Sequence, residues 1–229
     1  MFYVLFQARH DDGLFLQGLH NMPSSSKPLS EFLALDKKLS QTGTRFQITA
    51  GELILPANYT MNDVTVVVQQ GVVSLHRNEG HVLYGILQSP SIFGLAAAAN
   101  TIRNDYTLIA ESDCRGFYLP SRETLKCLDR YQLWREAFYW MAWQTRMLEM
   151  RDMQLIGTNH YHQIRSTLLT MIDWDEEIRL RIGVLNYIQQ RTRISRSVIA
   201  EVLAALRKGA YIEMKKGKLV SIARLPTHY

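Results

Sequence analysis

The stretch RTRISRSVIAEVLAALRKGAYIEMKKGKLVSI, residues 191–222, changes its periodicity twice. Ile199, Val202, Leu203 and Leu206 recur at i, i+3, i+4 and i+7, the spacing of a buried helical stripe. Ser195 stands where a side-chain oxygen caps the free N–H groups of a helix, and Gly209 stops that helix. Two short strands follow, joined by a Lys-Gly turn with Lys215, Lys216 and Lys218 at its tip. The face of the helix opposite its apolar stripe carries Arg196, Ser197, Ala200, Glu201, Ala204 and Arg207, with Arg191 and Arg193 in the turn before it.

Residues 191–218 hold eight basic and two acidic side chains. The free N–H groups and dipole at the helix start favour a phosphate. Arg196 presents the two-donor fork that matches guanine O6 and N7, and Ala200 and Ala204 keep that face slim enough to approach a groove. Helix, tight turn, second helix and basic β-wing make a winged helix-turn-helix, which predicts duplex DNA as partner. On this reading Arg196, Ser197 and Glu201 meet base edges. Ser195, Arg191, Arg193, Arg207, Lys208, Lys215, Lys216 and Lys218 meet the backbone. The plainer reading is a small helix–hairpin subdomain with a solvated charged face.

Charge is divided unevenly along the 229 residues. Residues 160–229 carry 12 Lys and Arg against 6 Asp and Glu, and residues 1–159 carry 14 against 15, which predicts a basic module attached to a neutral one. Two cysteines, Cys114 and Cys127, make neither a disulfide framework nor a metal site, and no run of 18 apolar residues occurs. Cytoplasmic placement and no membrane contact are the expectation. Residues 1–28 are poorly patterned and contain the linker-like PSSSKP, so Met22 is a candidate start alternative to Met1.

Between these ends the pattern is readable. PLSEFLALDKKLS predicts a helix. RFQIT, ELILP, VTVVVQ, GVVSLHR, HVLYGILQ, YTLIAE and CRGFYL predict short strands separated by turns, with GLAAAAN as one or two helical turns. YQLWREAFYWMAWQTRMLEMRDMQLIG, residues 131–157, predicts one long helix with two apolar stripes. Trp134, Phe138, Met141, Leu148 and Leu155 form one stripe, assigned to a seam with a second copy of the chain. Leu133, Ala137, Trp140, Trp143, Met147 and Met150 form the other. Two further helices are predicted over 160–172 and 177–190.

This order of parts resembles the cyclic-AMP receptor and fumarate–nitrate regulator superfamily of bacterial transcription factors. SKPLSEFLALDKKL and residues 191–222 look most like the enterobacterial proteins named inhibitor of hydrogen peroxide resistance. The resemblance covers about residue 29 to the end. It implies an α+β fold: a cyclic-nucleotide-binding-like β-roll over 29–128, a long dimerisation helix over 129–157 and a winged helix-turn-helix over 158–229. It also implies a homodimeric, non-enzymatic transcriptional regulator linked to oxidative stress, with RNA polymerase as a further partner. The superfamily's recognition helix opens Ser-Arg, matched by Ser195 and Arg196. Glu201 falls where the cyclic-AMP receptor has arginine, and Gln189 and Arg193 replace a small residue and a turn glycine. Nucleotide-binding members follow Phe-Gly with Glu and later place Arg-Ser on the phosphate. Here Leu95 follows Phe93-Gly94, and Asn104 and Asp105 occupy the Arg-Ser positions, so the effector pocket reads as degenerate and binds no cyclic nucleotide. The cysteine set that holds an iron–sulfur cluster in other members is missing, and no cofactor or metal is expected.

Two rival readings belong to other classes. One is a small-molecule-binding β-roll protein whose C-terminal module contacts protein. The other is a cupin-like metalloenzyme built on His76, Glu79 and His81 of HRNEGH, whose plain reading is a polar hairpin turn. Cys114 and Cys127 read as buried structural thiols rather than peroxide sensors.

Overall fold

The computed structural model describes residues 27–77, 82–100 and 106–227. Met22, Glu79, His81, Asn104, Asp105 and nearly all of the 1–28 extension lie outside them. The chain begins with α1 (Leu29–Leu39) and β1 (Thr44–Ile48). It continues through β2 (Val64–Gln70), β3 (Val72–Arg77), β4 (Val82–Gln88), β5 (Ser91–Phe93), α2 (Leu95–Ala99), β6 (Tyr106–Ala110) and β7 (Cys114–Pro120). Two antiparallel sheets result, ordered β1-β7-β2-β5 and β4-β3-β6. They share an interior of Val64, Val66, Val68, Val73, Leu108, Ala110 and Cys114.

β2 shows why a run of valines makes the central strand. Val64, Val66 and Val68 fill the space between the sheets, while Val67, on the other face, joins the helices. β7 alternates in the same way. Cys114 and Tyr118 turn toward the inter-sheet core, and Phe117 and Leu119 turn toward Phe32, Leu35 and Leu39 of α1. The expected strand at ELILP is not formed. Leu53 makes a single bridge to Ile109, and the Pro56 nitrogen has no N–H to extend the ladder.

α3 (Ser121–Tyr131) and α4 (Trp134–Leu155) follow. The single helix expected over 131–157 is therefore shorter, 22 residues or about 33 Å long. Gln132 takes a left-handed conformation (φ 55°) and closes α3, and the chain restarts at Trp134. One face of α4 docks on the β-roll: Trp140 is fully buried, its ring 5.7 Å from that of Phe32, and its Nε1 donates to the Ile92 carbonyl at 3.1 Å.

The C-terminal part contains α5 (His160–Ile172), α6 (Glu176–Arg181), α7 (Val184–Thr192), α8 (Arg196–Lys208), β8 (Ile212–Lys215) and β9 (Lys218–Ile222). The helix expected over 177–190 is two helices. Ile182 and Gly183 are extended, and the freed Val184 N–H donates to the Gly217 carbonyl at 3.0 Å. The core of this part holds Ile164, Leu168, Val184, Tyr187, Ile188, Ile199, Leu203, Leu206 and Leu219, together with Leu83 of β4. A β-roll strand thus contributes a wall of the C-terminal core.

Candidate nucleic-acid interface

α8 is built as its spacing demands. Ile199, Val202, Leu203 and Leu206 are buried, and Arg196, Ser197, Ala200, Glu201, Ala204, Arg207 and Lys208 are exposed. Ser195 is the N-cap; its Oγ accepts from the Val198 N–H at 3.5 Å and lies 3.2 Å from the Ser197 Oγ. Ala210 and Tyr211 follow the Gly209 cap and lead into the wing. The wing turns at Lys216 (φ 49°) and Gly217 (φ 76°), a two-residue turn with both angles positive, which glycine adopts without a Cβ clash.

Arg196 is not a free arm. Its Nη1 donates to Asn186 Oδ1 at 2.8 Å and to Gln189 Oε1 at 3.1 Å, both on α7. That leaves Nη2 and Nε, an edge with two donors, directed away from these partners. The geometry matches a bidentate acceptor such as a guanine edge. Gln189, a departure from the pattern of small residues at this point, is thereby one of the two groups that fix the arginine. Neither Asn186 nor Gln189 was singled out as a reading-site residue from sequence, because the pairing spans two helices.

The basic set is smaller than the sequence suggested. Arg191 does not lie in the turn. Splitting the preceding helix at Gly183 shifts its phase, and Val184, Tyr187, Ile188 and Arg191 now fall at i, i+3, i+4 and i+7 on the buried stripe. Arg191 is 7% exposed and points inward, so it is withdrawn from the phosphate-facing residues. Lys218 is half-buried and its ammonium donates one of its three N–H groups to the Arg181 carbonyl. Arg193, Arg207, Lys208, Lys215 and Lys216 remain exposed.

The seam residues also separate. Trp134, Phe138 and Leu148 are 45%, 65% and 43% exposed. Met141 packs partly against the β-roll core, and Leu155 is buried where α5 begins to pack on the end of α4. Leu155 therefore leaves the exposed stripe; Tyr139 and Met153 are also exposed, on another face of α4.

Leu95, the residue in the effector-pocket position, is 4% exposed and packs with Phe32, Ile92, Phe117 and Trp140. Its partners in that assignment, Asn104 and Asp105, lie outside the described residues. Cys114 is fully buried and its thiol lies 3.2 Å from the Ser112 carbonyl; burial pushes its pKa up. Cys127 is 6% exposed. His76 is half-buried against Ser74 Oγ at 2.9 Å, and burial lowers its pKa. Among the described residues, no group of three acids, histidines or cysteines is placed to hold a metal, and no helix is long and apolar enough to cross a membrane.

Residues 160–227 match the family model described as winged helix-turn-helix DNA binding. The global regulator CLP of Xanthomonas campestris, described as responsive to c-di-GMP, superposes with a TM-score of 0.64 at 15% identity, over 86% of this chain and 98% of its own. A crp/fnr-family protein of Eubacterium rectale superposes with a TM-score of 0.61 at 16% identity, over 89% of this chain and 92% of its own. The β-roll, long helix and winged helix-turn-helix expected from sequence are thus the fold of the crp/fnr proteins. In sequence the chain is far nearer to the inhibitor of hydrogen peroxide resistance of Escherichia coli K12, with 58% identity over 210 residues, 91% of this chain and 100% of the relative. With that identity sustained from end to end of the relative, on a crp/fnr fold ending in a winged helix of the DNA-binding kind, the chain belongs to the inhibitor of hydrogen peroxide resistance family.

Proposed function

We propose that the protein is a cytoplasmic, homodimeric transcriptional regulator. It reads duplex DNA through α8, and its β-roll responds to something other than a cyclic nucleotide. The observation that carries this reading is α8 itself: a capped helix whose exposed face presents Arg196, Ser197, Glu201 and Arg207 around two alanines, with Arg196 oriented by Asn186 and Gln189. Arg196, Ser197 and Glu201 are assigned to base edges. Ser195, Arg193, Arg207, Lys208, Lys215 and Lys216 are assigned to phosphates. The name of the Escherichia coli relative supports a role in the response to peroxide. The buried thiols Cys114 and Cys127 argue that any such role does not run through direct oxidation of cysteine. Duplex DNA and a second copy of the chain are the proposed partners, with RNA polymerase as a third.

The test is duplex binding at several salt concentrations, first on sites found by genome-wide mapping and then on random sequence. Arg196→Ala loses about 1–3 kcal/mol per half-site on the mapped operator and little on random DNA. Lys216→Ala weakens both alike and lowers the slope of log K against log salt by about 1. Equal losses on both DNAs for Arg196→Ala refute the assignment of the reading residue. Retention on neither DNA by the wild type refutes the function.

A further inference from the structure

The hold that α7 has on Arg196 decides which edge of the guanidinium is left to use. Nη1 carries two N–H groups and has two acceptors, Asn186 Oδ1 at 2.8 Å and Gln189 Oε1 at 3.1 Å. Both N–H groups of Nη1 are therefore taken inside the chain. A guanidinium is planar and offers an acceptor pair one of two forks, the end-on pair Nη1 and Nη2 or the side-on pair Nε and Nη2. With Nη1 occupied, the end-on fork is closed. The two N–H groups of Nη1 lie in the plane of the guanidinium, so bonding both also fixes how that plane is turned at the start of α8.

The two holders are themselves firmly placed. Asn186 and Gln189 stand three residues apart on α7, on one side of that helix. Gln189 is tied twice: its backbone carbonyl accepts the Arg193 N–H at 2.8 Å, which closes the turn between the helices, and its side chain reaches on to Arg196. Tyr187 and Ile188, between them in sequence, are buried in the C-terminal core, so the α7 backbone is not free to follow the arginine. Among the described residues no carboxylate pairs with Arg196, and its charge stays available to an acceptor from outside.

Such a hold changes choice more than strength. A free arginine at an exposed helix start turns as readily to a phosphate as to a base, and phosphate contacts carry no sequence information. It also loses its rotamer freedom on binding. An arginine whose plane and fork are set beforehand meets the groove with one edge only, and among the four bases guanine alone offers that edge two neighbouring acceptors. We propose that Asn186 and Gln189 are positioning residues that set base preference: by occupying Nη1 they leave Arg196 its Nε and Nη2 edge and make guanine, rather than a phosphate, its partner. This rests on the assignment of Arg196 to a base edge and deepens it. Part of the selectivity for DNA then resides on α7, outside the recognition helix.

Duplex binding by the full-length wild type, Arg196→Ala, the pair Asn186→Ala with Gln189→Ala, and all three changes together tests it. Each protein is titrated with an operator found by genome-wide mapping, with versions in which each G·C pair of a half-site is replaced in turn by A·T, and with random duplex. The pair at which Arg196→Ala abolishes preference is the one the arginine reads. There the paired alanine variant is expected to lose about fivefold or more of the wild-type preference for G·C. Its affinity for random duplex stays within about twofold of the wild type, since phosphate contacts dominate that binding. Its Tm holds, because alanine suits a helix, and the two changes have no further effect on DNA preference once Arg196 is alanine. Should the paired variant fail to fold, Asn186→Ala at its exposed position decides alone, with a smaller loss of the same preference. Preference that survives removal of the holders overturns the proposal and leaves Arg196 as the reader. Equal loss on operator and random duplex, or loss that persists without Arg196, marks a structural role and overturns it. Tighter operator binding shows that α7 parks the arginine away from DNA, and overturns it too. A wild type with no preference at any pair, or one that Arg196→Ala does not touch, removes the base-reading assignment and the proposal with it.

Discussion

Arg193 shows how much one residue can be asked to do. It lies between α7 and α8 with φ at 64°, a left-handed conformation that an L side chain adopts at a cost of about 1–2 kcal/mol. Glycine carries no such cost, but it loses more freedom on folding, about 0.5–1 kcal/mol. Arg193→Gly therefore leaves the turn intact and changes stability by about 0–1.5 kcal/mol, in the stabilising direction. It also removes an exposed cation from the proposed phosphate face. Chemical denaturation together with random-duplex binding checks both halves: a more stable protein with weaker, less salt-sensitive binding is expected. A variant that is less stable by more than 1 kcal/mol would mean that the Arg193 side chain supports the turn in a way its exposed position does not suggest. The tight turn keeps an arginine where the superfamily pattern has glycine, which is intelligible if the charge is worth more in binding than the strain costs in folding.

Elements divide between those whose fate is local and those decided by neighbours. α8 was legible residue by residue, because its apolar stripe, its Ser195 cap and its Gly209 stop all point the same way. α7 was not. The apolar positions Ile178, Ile182, Leu185 and Ile188 fit one continuous helix, and only the extended backbone at Ile182 and Gly183 reveals the phase that buries Arg191. The partner of Lys218, the Arg181 carbonyl, was not legible for a similar reason: the same break brings it close. α4 lies between these cases. Its two stripes were visible in the sequence, yet which positions stay exposed depends on the depth of Trp140 in the β-roll and on where α5 turns back. Phe138, at 65% exposure, is now the centre of the unpartnered stripe. A charge there gives up an edge-on contact with the Tyr139 ring at 6.0 Å but disturbs no core cluster, so Phe138→Glu is expected to fold as the wild type does and to sediment as a monomer where the wild type sediments as a dimer. A wild-type monomer, or a dimeric Phe138→Glu, places the contact between copies on another surface.

Across the whole molecule, the β-roll keeps the two-sheet architecture, and Leu95, assigned from sequence to the effector pocket, lies in its core. Leu95 is a structural residue of the core between β-roll and helices, alongside Trp140, and offers no carboxylate to a ribose. Titration with cyclic AMP and cyclic GMP is expected to give no saturable heat; micromolar binding of either would restore the ordinary effector reading. The strands VTVVVQ and CRGFYL were legible as runs, whereas the order β1-β7-β2-β5 and β4-β3-β6 depends on long-range pairings that no single run carries. The short β5 was missed, since three residues after a Ser-Pro pair carry too little pattern to declare a strand.

One contact across the molecule has a further result. Leu83 belongs to β4 by chain position but to the winged helix by packing, only 2% exposed among Ile188 and its neighbours. The winged-helix end therefore does not own its whole interior; one of its bricks is lent by the β-roll. A fragment cut at residue 158 carries a leucine-sized hole in its wall, and a hinge motion that swings the two ends apart must first draw that leucine out. The contact makes β4 and α7 share a wall: a displacement of β4 shifts the floor beneath α7 with it.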